Sequence, residues 1–156
     1  NNLLPNTTYY VRAFAVNANG TGYGNIVSFT TKKTPTLSEY NGTWKGVVKG
    51  VSSSYMSGYG GSSEAINETV GNIIVTKISD AQIIINGDAA AVSNKDLSFK
   101  TRTTYEATFN MNLTVKKSGR LFYDKIELYS NSSGSYSMMG IDVTISEITT
   151  TTLTKQ

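Results

Sequence analysis

The sequence predicts an all-β protein, and three observations predict it. Apolar residues recur with a period of two along most of the chain and nowhere form a convincing 3.6-residue stripe. From Tyr40 to Gln156 there is no proline, which suits strands whose N–H groups are all needed for pairing. The polar residues are mostly Ser, Thr, Asn and Gly: charged side chains are 16% of the 156 residues, against about a quarter in ordinary domains. That composition favours strands and turns over solvated helices.

The first element is a hairpin over residues 1–31. Tyr9, Val11, Ala13 and Ala15 share one parity, Asn19-Gly20-Thr21-Gly22-Tyr23-Gly24 signals a turn, and Asn25-Ile26-Val27-Ser28-Phe29-Thr30-Thr31 returns. Leu3, Pro5, Thr7, Tyr9, Val11, Ala13 and Ala15, at every second position, resemble the tyrosine corner and strand F of a fibronectin type III domain. Ser28-Phe29-Thr30-Thr31 is similar to its closing strand G. The resemblance implies that Tyr9 bonds back to the chain just upstream. It covers only the last third of such a domain, so the chain, opening on Asn1, reads as a piece of a longer, modular extracellular protein. Two strands alone are marginal in water. The edges of residues 1–31 are therefore expected to seek a partner, by self-association or on the second domain.

Residues 32–39 read as a linker: Lys32-Lys33-Thr34-Pro35-Thr36-Leu37-Ser38 is charged, polar and holds one of two prolines. Residues 40–156 then form a domain of about eight strands. Expected strands are 43–50, 66–78, 81–86 and 96–101. A longer one runs through Tyr105, Ala107, Phe109, Met111, Leu113 and Val115. Two more follow, with Phe122, Ile126 and Leu128 on one face, then Met139, Ile141, Val143 and Ile145. Turn signals stand at Ser79-Asp80, Asn86-Gly87-Asp88, Lys117-Ser118-Gly119 and Asn131-Ser132-Ser133-Gly134. Pattern alone leaves sandwich and closed barrel both open.

Tyr40-Asn41-Gly42-Thr43-Trp44-Lys45-Gly46 resembles the Gly-x-Trp opening of the first strand in lipocalins and other calycin barrels. The resemblance extends over most of 40–156 and implies an antiparallel lipocalin-like barrel of about eight strands, with Trp44 plugging its closed end. Arg102 and Arg120 are the candidates to cap that tryptophan. The Thr-rich final strand is similar to calycin-like domains of surface and secreted Bacteroidetes proteins, which implies an exported protein, at the bacterial cell surface, in the periplasm or secreted.

Composition excludes several kinds of function. There is no cysteine and no histidine, which removes thiol and zinc-ribbon chemistry, histidine metal sites and the Ser-His-Asp triad. The net charge of +3 comes from Arg12, Lys32 and Lys33, because acids and bases balance from Ser38 onward. Nucleic-acid binding needs a gathered basic face and is not expected. No apolar run approaches the length of a membrane span, and no cofactor or metal is expected.

The candidate ligand-binding residues are Tyr55, Met56, Tyr59, Tyr136 and Met138. The stretch 51–63 reads as a long Gly/Ser loop whose aromatics form a lid over a barrel mouth, stacking on a sugar or an apolar ligand. The Ser130–Met139 stretch repeats that chemistry, and counting strands places both at one end of the barrel. Asp124, in parity with Phe122 and Ile126, is the one acid expected to point inward, and no second carboxyl joins it for hydrolysis. The expected function is thus non-enzymatic: a binding module for a small apolar or glycan ligand at the mouth, or for a protein on the wall. A structural spacer is the alternative. A spacer would have its interior filled by Phe109, Met111, Leu113, Ile126, Leu128, Ile141 and Val143; a binding module would have a cavity.

Overall fold

The computed structural model describes residues 3–107 and 110–156, and only the backbone of Met138. The chain divides into two compact units, Asn1–Thr36 and Leu37–Gln156.

The first unit holds four short strands, β1 (Thr8–Val11), β2 (Phe14–Asn17), β3 (Gly20–Tyr23) and β4 (Val27–Thr30). β1 pairs with β4 and β2 with β3, both antiparallel, as two separate two-stranded sheets. The Gly24 N–H donates to the Ala13 carbonyl between them, at 2.9 Å. Tyr9 stacks on Phe29 with centroids 5.8 Å apart, and the Leu4 N–H donates to the Tyr9 hydroxyl at 2.8 Å. No residue described in this unit is buried. Leu4, Phe14 and Tyr10 are 67%, 68% and 73% exposed.

The second unit opens with a turn of 3-10 helix, Leu37–Tyr40. Nine strands follow: β5 (Gly42–Met56), β6 (Gly60–Ser79), β7 (Gln82–Ile85), β8 (Asp88–Ser93), β9 (Asp96–Phe99), β10 (Arg102–Glu106), β11 (Met111–Leu121), β12 (Lys125–Met138) and β13 (Ile141–Lys155). All pair antiparallel. Chain neighbours are sheet neighbours except β9 and β10, which both pair with β11, and β13 closes onto β5. The result is a closed eight-stranded barrel of β5 to β9 and β11 to β13. β10 extends it, pairing with Met111–Val115 of β11 while β9 takes Ser118–Arg120.

Two-residue turns with both φ angles positive set the hairpin registers. They are Asn86-Gly87 (49° and 88°), Asn94-Lys95 (47° and 70°) and Met139-Gly140 (54° and 78°), the conformation whose twist matches that of the flanking strands. Inward-facing glycines let the wall curve. A Cβ at Gly119 would lie 2.5 Å from the Glu127 carbonyl oxygen, and one at Gly46 would lie 2.6 Å from Leu153 Cδ2.

Several expected elements are corrected. The stretch 51–63 is not a long loop: β5 runs to Met56, β6 starts at Gly60, and Tyr55 pairs with Gly61. Likewise 130–138 is ladder, with Ser130–Met138 paired to Ile141–Thr149 of β13. The turn signals at Lys117-Ser118-Gly119 and Asn131-Ser132-Ser133-Gly134 fall inside β11 and β12, where Gly119 and Gly134 serve close approach rather than chain reversal. The strand expected through 105–115 is two strands, split by a turn at which Asn110 has φ 51°. Phe109, on that expected stripe, lies outside the described residues.

Candidate binding site at the open end of the barrel

One end of the barrel is packed solid. Tyr40, Trp44, Val75, Ile83, Ile85, Ala90, Leu97, Leu121, Ile126 and Leu153 form a single buried cluster. Trp44 stacks on Tyr40 at 6.2 Å and 14°, and its indole N–H donates to the Tyr40 carbonyl at 2.9 Å. The Tyr40 hydroxyl donates to the Phe122 carbonyl across the barrel end at 2.7 Å. Burial and the neighbouring Glu39 charge push the Tyr40 hydroxyl above its ordinary pKa. The cation over Trp44 is Lys155, 6.0 Å from the ring centroid and hydrogen-bonded to the Glu39 carbonyl. Neither expected arginine takes that place: Arg102 pairs with Asp88 and Arg120 with Asp96.

Above this plug the interior opens. A cavity of about 210 Å³ is lined by Val48, Val70, Ile73, Ile85, Phe99, Leu128 and Leu153, contributed by six strands. Asn86, Asp88, Lys117, Ser130 and Thr151 add polar groups to the lining. A second hollow of about 510 Å³ shares Asp88, Phe99 and Lys117 with it and adds Gln82, Ser98, Lys100 and Arg102.

The charged groups meet at Asp88, the residue after the Asn86-Gly87 turn. Its Oδ1 accepts from Arg102 Nη1 at 2.8 Å and its Oδ2 from Lys117 Nζ at 2.5 Å. All three side chains are partly open to solvent, so each pair adds at most about 1 kcal/mol of stability. What the arrangement does is fix three charges in place. Among the described residues, Asp88 is the one carboxylate lining either hollow.

The residues expected to bind ligand lie farther out along the same strands. Met56 pairs with Val143, and Val143 with Tyr136, so Met56 and Tyr136 flank Val143 on one face of the sheet. Tyr55, one residue from Met56, takes the opposite face, and Tyr59 lies in the turn before β6. Tyr55, Met56, Tyr59 and Val143 border a separate open hollow of about 310 Å³ that includes no residue of the barrel cavity. The side chain of Met138 lies outside the described residues. The two turns do share an end, where the Ser57 N–H donates to the Asp142 carbonyl and the Asp142 N–H to Ser57 Oγ, both at 2.8 Å.

Of the expected filling residues, Ile126 belongs to the buried plug and Leu128 lines the cavity. Met111 and Val143 are buried outside the plug cluster, while Leu113 and Ile141 are half-buried. Asp124 is exposed in the bend before β12, so the expectation of an inward acid is overturned: the strand parity that would aim it starts only at Lys125. Glu127 lies on the outer wall, where a hydrogen bond from Lys125 and one from the Tyr129 hydroxyl hold its carboxyl below the usual value. Among the described residues no three acids gather as metal ligands.

Reasoning from sequence missed Asp88 and Lys117 and gave Arg102 another role, the cap of Trp44, where the structure pairs it with Asp88. A signal for Lys117 was present: it shares the parity of Met111, Leu113, Val115 and Leu121, a charge on an apolar stripe.

Compared with protein-family models, with curated proteins and with solved structures, the chain matches none.

Proposed function

We propose that residues 37–156 form a non-enzymatic binding module, lipocalin-like in architecture, that takes a small, largely apolar ligand at the open end of the barrel. The observation that carries the reading is the cavity of about 210 Å³, whose apolar lining of Val, Ile, Leu and Phe side chains comes from six strands and includes Ile85 and Leu153 of the buried cluster around Trp44. At about 30 Å³ per molecule of liquid water, its volume matches roughly seven waters. Sites for drug-sized ligands start near 300 Å³, so the ligand is one ring or a short chain, or a single sugar with its apolar face down. A lone carboxylate held by two cations favours binding over hydrolysis. Residues 3–36 are read as a fibronectin type III piece, supported by the bond from Leu4 to the Tyr9 hydroxyl, and the whole as part of an exported bacterial surface protein.

Titration of isotope-labelled protein with indole, cyclohexanol and methyl glucoside, followed by amide and methyl NMR shifts, tests the reading. Shifts are expected at Val48, Ile73, Ile85 and Leu128, and Val48→Phe is expected to abolish them. Shifts confined to Tyr55 and Tyr59 overturn it by moving the site to the outer hollow, and no shift with any probe overturns it in favour of the spacer reading.

A further inference from the structure

Beyond the barrel, the wall is incomplete. β6 runs from Gly60 to Ser79, but β7 covers only Val75–Ser79 of it. From Gly60 to Ile73, β6 pairs on one side alone, with β5. Among the described residues nothing pairs with its other side, and β10 is likewise paired only with β11. The long strands thus continue past the ring as a six-stranded sheet, β10-β11-β12-β13-β5-β6, with two open edges.

Open edges carry a row of unpaired N–H and C=O groups, and proteins usually blunt them with charged side chains, lysine above all, with proline or with a bulge; the charges on this edge are the acids Glu64 and Glu68. The β6 edge has neither lysine, arginine nor proline from Gly60 to Thr76. Its bulge, where Lys45 faces Gly71 and Asn72, lies at the barrel end and leaves Gly60–Thr69 regular. The side chains beside this edge follow a simple order. Glu64, Ile66 and Glu68 share the face of Ser52, Gly50 and Val48, and Ser63, Ala65, Asn67 and Thr69 take the other. Neither Glu64 nor Glu68 has an ion-pair partner among the described residues.

We propose that the free β6 edge, Gly60–Thr69, is a docking site for an extended basic segment of a partner protein, which adds a strand to the sheet. The fold itself shows what fits: β7 is an antiparallel strand on this same edge lower down. Cross-strand neighbours interact most strongly when their charges are opposite. The matching partner strand therefore places lysine, an aliphatic residue and lysine at alternate positions beside Glu68, Ile66 and Glu64. A second copy of β6 is a poor occupant, because antiparallel pairing centred on Ile66 sets Glu64 against Glu68. The edge borders the cavity, since Glu68 pairs with Val48, a cavity residue, but the added strand would pair through the backbone of β6 and needs no ligand in the cavity.

The test is residue-resolved amide hydrogen exchange on the full chain, with the probe acetyl-Thr-Lys-Thr-Val-Thr-Lys-Thr-amide. Alternate amides within Gly60–Thr69 are expected to exchange about tenfold more slowly with the peptide bound. Added salt should weaken the effect, since the charges are exposed. The same peptide methylated at every backbone nitrogen should give no protection. Glu64→Lys with Glu68→Lys should weaken the lysine peptide about tenfold and favour its glutamate counterpart. Three results overturn the proposal: no protection of this edge, equal protection by the methylated peptide, or protection that appears without peptide and rises with protein concentration.

Discussion

Residues 3–36 and residues 37–156 are made of the same material, antiparallel strands rich in Tyr, Val, Thr and Gly, yet only the second buries a core. The first has aromatic stacking, a tyrosine hydroxyl bonded to the backbone and regular pairing, and its large apolar side chains remain open to water. In the second, Ile83, Ala90, Ile126 and Leu153 are fully removed from solvent. The difference is closure. A two-stranded sheet has no second layer to bury its face against, whereas a sheet that returns on itself supplies that layer from its own far wall. Pairing sets register, and burial supplies the stability.

The largest expected effect follows from that contrast. Leu153→Ala should cost the barrel about 2–5 kcal/mol, through lost burial and the cavity left behind. Phe14→Ala in the first unit should stay within about 0.5 kcal/mol. Trp44 is the only tryptophan and sits in the barrel core, so urea unfolding followed by its fluorescence reads the second unit directly. An equal shift of the midpoint by both variants would break the comparison.

How far the two units were legible in sequence follows the same physics. The parity of Ile141, Val143 and Ile145, the Asn86-Gly87 turn and the Trp44 plug are local signals, and each has its counterpart in the barrel; Met139, expected on the same face, lies instead in the turn before β13 and is 95% exposed. β8 was not anticipated, because Ala89-Ala90-Ala91 carries weak strand preference; Ala90 is needed as a small residue in a tight core. The Ser- and Gly-rich stretches read as loops because composition counts turn formers, while register depends on the partner strand. Ser54 and Ser62 bond to each other across the β5–β6 ladder at 3.0 Å, a contact visible only once the pairing is known. The Asp88, Arg102 and Lys117 cluster joins three strands, and beyond the parity of Lys117 with an apolar stripe it has no local signature. The Lys155 cap on Trp44 spans 111 positions of sequence, and nothing near the tryptophan announces it.

Removing one hydroxyl from each unit sharpens the contrast. Tyr40→Phe deletes the bond to the Phe122 carbonyl at the closed end, and its expected cost is about 1 kcal/mol. The same residue should govern alkaline stability. Burial, then the Glu39 charge, raise its folded pKa above the ordinary 10.0. The native state therefore holds that proton more tightly than the unfolded chain does. The contribution is fully present below pH 10.0 and is lost as pH rises through the raised folded value. Urea midpoints on either side of pH 10.0 should fall less steeply in Tyr40→Phe than in the parent. Parallel decline in the two proteins would assign the alkaline loss to other groups.

The matching change in the first unit is Tyr9→Phe, and its expected effect is the smallest. The hydroxyl accepts from the Leu4 N–H at 2.8 Å, a bond of the same length class as that of Tyr40. Its surroundings differ: the bond is exposed, so water can replace the lost acceptor, and the desolvation cost that makes a buried bond expensive to break is absent. The Trp44-reported midpoint should not move, while the Leu4 amide should exchange faster and the stacking of the ring on Phe29 should persist. A drop in the midpoint comparable to that of Tyr40→Phe would mean that the corner supports more than its own turn. In that case the stability of the barrel could not be accounted for by burial in residues 37–156 alone.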